Sequence, residues 1–222
     1  MPNQSKPRSN RRRRKLPPVV LLLLFALLLA AILIPILTGS PAGSGSPSAQ
    51  QEAVQALSWV HGDLLPQNNY SRPGTKLRAV NAIVIHYMGN PGTTAEQNRS
   101  FFANLAVTHE TYASSNFVIG MDGTIIQCVP VDEVAYCSND RNGDTVSIEC
   151  CHPGEDGKFT EQTYASLVRL TAWLCEAFDL DENDVIRHHD VTGKICPKYF
   201  VDNEDAWEQF KRDVGELLNA DE

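Results

Sequence analysis

From Leu16 to Leu37 the chain runs for 22 residues without a charged side chain, LPPVVLLLLFALLLAAILIPIL, and this run constrains everything around it. A membrane-spanning helix needs about 20 predominantly apolar residues, whereas the apolar core of a cleavable signal peptide is only about 7–15 long. The run therefore reads as a transmembrane helix, with Pro35 leaving its last turn irregular. A signal peptide cleaved near Ala42 is the alternative. The block RRRRK at residues 11–15 stands directly before the run, and such a block is retained on the cytoplasmic side. The expected order is a basic cytoplasmic tail over 1–15, a signal anchor over 16–37, and everything later on the outer face of the cytoplasmic membrane.

Charge then narrows the partners. Seven of the 19 basic residues precede residue 16 and none of the 27 acidic residues does, so the remainder has 12 basic against 27 acidic residues, a formal charge of −15. A domain so acidic is repelled by a phosphate backbone, which argues against a nucleic-acid partner. The stretch TGSPAGSGSPSAQQ at 38–51 has the composition of a flexible spacer. A linker is expected over 38–65 and a folded domain over 66–222. Within Glu52–Asn69, a weakly amphipathic piece carrying Leu57, Trp59 and Val60 could pack on the domain or on the bilayer. The six cysteines, Cys128, Cys137, Cys150, Cys151, Cys175 and Cys196, raise the question of disulfides in an exported domain. Sequence leaves their pairing open, although Cys150 and Cys151 would face opposite sides of a strand, placing at least one in the core.

The elements follow from periodicity. NAIVIHY (81–87) is a short β-branched run suited to a buried strand. Thr94 with Gln97 three residues on is a capping-box pattern opening a helix to about Leu105. SNFVIGMDGTIIQCVP reads as a hairpin about Asp122-Gly123, and DTVSIECC (144–151) as a further strand. From Thr160 to Phe178 apolar residues recur at helical spacing. DVIRHHD supplies a last strand and DNEDAWEQFKRDVGELL a closing helix. The fold class is α/β, a mixed central β-sheet flanked by helices and preceded by the N-terminal transmembrane helix.

Chemistry concentrates in RHHDVTGKICP (187–197). His188 and Cys196 are residue types favoured by zinc, and a catalytic zinc site wants three protein ligands and an open position. His86, ending a buried strand where an unpaired imidazole is costly, is the best third ligand. Taken singly, His86 could be a hydrogen-bonded core histidine and Cys196 a buried thiol. Packing does not explain them together with Lys194 and the strand glutamate Glu149.

The series IVIHY, SSNFVIGMDGTIIQ, SIE and RHHDVTGKICP, in this order and spacing, resembles the type 2 N-acetylmuramoyl-L-alanine amidases, zinc enzymes related to the peptidoglycan recognition proteins and phage endolysins. The resemblance spans about Ser71 to Glu216. It implies a Zn2+ held by His86, His188 and Cys196, Glu149 as general base, Lys194 as oxyanion stabiliser, and cleavage of the amide joining N-acetylmuramic acid to L-alanine in peptidoglycan. Within the family pattern His-x-Asp, His188 stands two before Asp190, so His189 falls at the variable position; on a strand the two would also point oppositely. Ser115-Asn116 departs from members that carry Tyr-His there and marks a subgroup. His109 and His152 are read as solvated loop histidines, with lining the cleft as the alternative. Two other readings stay open: a non-catalytic peptidoglycan receptor on the same fold, whose known relatives lose a zinc ligand, and a zinc peptidase cutting stem peptides.

Overall fold

The computed structural model describes residues 46–220. The basic tail, the apolar run expected to span the membrane and the first part of the expected linker lie outside these residues. Among the described residues no helix is long and apolar enough to cross a membrane.

Six strands form one sheet: β1 Val60–Gly62, β2 Ala82–Tyr87, β3 Phe117–Ile119, β4 Ile125–Gln127, β5 Thr145–Cys150 and β6 Val185–Arg187, in the order β1-β4-β3-β5-β2-β6. All neighbours run parallel except β3 and β4, which form the hairpin expected about Asp122-Gly123. The mixed sheet and its flanking helices thus match the sequence reading. The helices are α1 Pro47–Gln55, α2 Ala95–Thr108, α3 Glu161–Phe178, α4 His188–Thr192, α5 Lys198–Asp202 and α6 Glu204–Ala220. The expected capping box opens α2: Gln97 N–H donates to Thr94 Oγ1 at 3.2 Å, and Thr94 N–H donates to Gln97 Oε1 at 2.9 Å.

Strand alternation divides the interior in two. Ile83, Ile85, Val146, Ile148 and Cys150 point to the face covered by α3 and α6, where Leu167, Leu170, Leu174, Trp207 and Phe210 meet them. Val118 and Ile126 point to the other face, where Phe102 of α2 and Cys151 pack. Cys150 and Cys151 therefore serve opposite cores, and all six cysteines are free thiols.

The linker expectation is corrected from residue 46 onward. Ser46 caps α1, Pro47 occupies its first turn, and Val54 is buried in the main core. The Gln51 and Gln127 side-chain amides donate to one another at 3.3 and 2.7 Å, and Gln51 Oε1 also accepts from Val131 N–H at 2.9 Å. β1 then pairs with β4, and the Arg169 guanidinium lies 4.1 Å over the Trp59 ring, so this piece packs on the domain. Composition reads Ser, Pro and Ala as spacer; here a serine cap, a first-turn proline and one buried amide make them a helix.

Candidate active site

The site is built at the carboxyl ends of three parallel strands, where open α/β sheets place ligands. His86 and Glu149 are register partners on β2 and β5. Counting in twos from the core residues Ile85 and Ile148, both turn away from the main core. On the other side of β2, Ile85 pairs with Arg187, the last residue of β6, and His188 follows at once. Here the sequence reading needs correction: His188 and His189 begin the short helix α4 rather than continuing the strand. The Asp190 carboxylate accepts from Arg187 N–H at 2.8 Å and from its guanidinium, which ends the strand and starts the turn. The helical offset, not strand alternation, directs His188 inward and leaves His189 off the cleft, 3.6 Å from Asp190.

Among the described residues two donor groups lie with all their ligand atoms within 4.8 Å of one another: His86, His188 and Cys196, and His86, Cys137 and Glu149. Cys196 Sγ stands 3.8 Å from His86 Nδ1, and the two imidazoles meet edge-on at 4.7 Å. The outer nitrogens are engaged. His86 Nε2 lies 3.2 Å from Ser138 Oγ, and His188 Nε2–H donates to Asn139 Oδ1 at 2.8 Å. That bond leaves the lone pair of His188 on Nδ1, which is buried without a partner. Burial, the neighbouring imidazole and Lys194 hold the His86 pKa well below the ordinary range, and burial and Lys194 lower that of His188. Both rings are neutral at neutral pH, the state in which imidazole binds a metal. Burial pushes the Cys196 thiol up to about 12, so a cation entering this site must displace its proton.

Glu149 and Lys194 line the same cleft of about 330 Å³, together with His86 and His188. Burial pushes the Glu149 pKa up to about 8 against the opposing pull of a Cys137 hydrogen bond and the Lys194 charge. Cys137 Sγ–H donates to Glu149 Oε1 at 3.5 Å, while Oε2 is buried and unpartnered. All five residues expected at the site thus converge.

Cys137, Ser138 and Asn139 were not singled out by sequence reasoning beyond the cysteine count. Their only local signal is a polar turn, YCSND, just ahead of a strand; their use depends on contacts with His86 and His188, 49 to 52 residues away. Ser115 and Asn116, by contrast, do not reach the cleft. Asn116 Oδ1 accepts from Ser147 N–H at 2.9 Å and its amide donates to Pro130 O at 2.9 Å, so this pair ties the hairpin to β5. His109 is exposed, as expected. His152 is instead buried, stacked on Tyr87 at 5.1 Å with its Nδ1–H donating to Gly154 O at 2.7 Å.

Fold and site together define an α/β domain with a His/His/Cys donor set and a buried carboxyl in one cleft. A family model described as N-acetylmuramoyl-L-alanine amidase matches residues 76–199, and the chain belongs to that family. It is 32% identical over 163 residues to the N-acetylmuramoyl-L-alanine amidase CwlL of Bacillus licheniformis, covering 68% of this chain and 45% of that one. It is 33% identical over 171 residues to the amidase BlyA of Bacillus subtilis (strain 168), again covering 68% and 45%. The chain thus spans under half the length of these curated relatives. Among solved structures, the catalytic domain of XlyA superposes with a TM-score of 0.59 at 26% identity, over 70% of this chain and 99% of that one.

Proposed function

We propose that this chain is a zinc-dependent N-acetylmuramoyl-L-alanine amidase acting on peptidoglycan. The observation that carries the reading is the meeting in one cleft of a neutral His/His/Cys donor set with Glu149 and Lys194. The donors suit zinc. Cys196 Sγ and His86 Nδ1 converge, His188 Nδ1 is a buried lone pair with no other use, and Ser138 and Asn139 hold the outer nitrogens. When bound, zinc supplies Lewis acidity toward the scissile carbonyl and acidifies water.

The chain's own residues carry the proton. Glu149, whose affinity for a proton burial raises, accepts one from the attacking water when ionised and passes it to the departing nitrogen. The amide C–N bond breaks, leaving a lactyl carboxylate on the sugar and a free amino terminus on L-alanine. Lys194 offers its ammonium to the carbonyl oxygen as negative charge develops there; removing a comparable donor costs about 2.7–4 kcal/mol. We further propose that residues 16–37 anchor the enzyme in the cytoplasmic membrane with this domain outside, facing the wall.

The test incubates the protein with purified peptidoglycan, with and without a zinc chelator, and identifies new amino termini. Release of N-terminal L-alanine, abolished by chelation and restored by zinc, is expected. Bound muropeptides without release would make it a receptor, and other termini a peptidase.

A further inference from the structure

The cleft has a second feature that the reaction above does not use. Tyr112 and Tyr136 form part of its lining, and they continue outward into a stack of rings. Tyr112 and Tyr136 meet edge-on at 5.6 Å, Tyr70 stacks on Tyr112 at 5.1 Å, and His109 stacks on Tyr70 at 4.2 Å with planes only 10° apart. None of the three tyrosines belongs to either hydrophobic core. Tyr112 remains 61% exposed. Tyr70 and Tyr136 are half-buried against it, and an exposed ring braced this way at the lining of a cleft, outside both cores, is unexplained by folding.

The backbone holds this row rigidly. Ala113 N–H donates to Tyr70 O at 3.1 Å, Ser114 N–H donates to Tyr136 O at 3.1 Å, and Tyr136 N–H donates back to Ser114 Oγ at 2.9 Å. The segment bearing Tyr112 is thereby clamped between the other two tyrosines. His109 sits at the end of α2 with φ 56°, a left-handed conformation that costs a non-glycine residue energy, and its Nε2–H donates to Ala106 O at 2.9 Å.

We propose that Tyr112, backed by the Tyr70–His109 stack and braced by Tyr136, presents a saccharide-binding wall on which a pyranose ring of a glycan strand stacks beside the scissile bond. This rests on the amidase reading for the identity of the glycan. A pyranose ring presents a face of polarised C–H groups, and an aromatic ring presents a negative face that attracts them, while its hydroxyls remain in water or meet the phenolic oxygens. The stem peptide offers no such flat face. The wall thus assigns the direction of the substrate: sugar toward Tyr112, peptide away from it.

The test measures binding of peptide-free strands of alternating N-acetylglucosamine and N-acetylmuramic acid to the full-length protein, beside Tyr112→Ala, Tyr112→Phe and Tyr70→Ala. Affinity is expected to fall about three- to tenfold in the two alanine variants and to be retained in Tyr112→Phe. On glycan-bearing peptidoglycan fragments the same factor should appear in KM, and should shrink when the substrate carries a single sugar. Unchanged glycan affinity in both alanine variants would overturn the wall, as would a loss confined to free stem peptides. The two readings fail separately. Glycan binding that depends on Tyr112 without release of L-alanine sinks the reaction and keeps the wall; release that ignores Tyr112 does the reverse.

Discussion

Ile148 and Glu149 are neighbours on one strand, yet they belong to different halves of the molecule. Ile148 enters the dry core under α3 and α6, among Ile85, Phe117 and Leu167. Glu149 faces the cleft, beside Cys137 and His86. The same division separates Ile85 from His86. A strand's period of two hands alternate residues to opposite faces, so one stretch of six residues supplies both stability and chemistry. Substitutions one position apart should therefore fail in different ways.

The sharpest break of the comparison lies on the cleft side. Glu149→Gln should lower turnover about 10²–10⁴-fold while the protein keeps its metal, since general-base catalysis contributes on that scale. Near-normal turnover would remove Glu149 from the role of base. Cys196→Ser should lose metal and activity together, read by metal content of the purified protein. Its neighbour on the core side gives the contrast: Ile148→Ala should cost about 2–5 kcal/mol in denaturant unfolding, with metal binding affected only as folding is. A smaller effect comes from the helix that composition reads as linker. Gln51→Ala leaves the Val131 N–H and the Gln127 amide without their partner, a loss of about 1–3 kcal/mol. An unchanged unfolding midpoint would return α1 to the status of a spacer.

Titration offers a finer test of the same division. In the metal-free protein the Glu149 pKa is about 8 folded, against an ordinary value near 4.5 in the unfolded chain. The folded state then binds the extra proton, so this group favours folding fully below about pH 4.5, and that contribution is lost as pH rises through 8. Metal-free Glu149→Gln should therefore lose less stability between pH 5 and pH 9 than the parent, measured by thermal unfolding at each pH. The smallest effect belongs to His189→Ala, expected within about 0.5 kcal/mol of the parent in stability and near it in activity, as surface changes usually are. His188→Ala should abolish metal binding; the reverse result would exchange their roles.

Much of this was legible in the chain. The capping box at Thr94 and Gln97, the Asp122-Gly123 turn, the long helix closed at Phe178 and the apolar strands are local signals, and each element stands where its signal lies. The residue types for a metal site were also visible, because His86 and Glu149 within otherwise apolar strands are costly without a task and His188 and Cys196 are types that bind zinc. Less legible were the supports of that site. His152 and the Ser115-Asn116 pair are polar residues in turns by sequence, and only their partners show them buried.

The sequence alone determined periodicity, turn positions and the donor types, since these depend on residues a few positions apart. The tertiary structure decided who meets whom. His86 reaches Cys196 across 110 residues, and Gln51 reaches Gln127 across 76. It also decided that His188 enters the site from the first turn of a helix and that three tyrosines from separate segments form one wall. Such contacts depend on strand register and on closure of long loops, which no local pattern encodes; the chain specifies them only through the summed packing of both faces of the sheet.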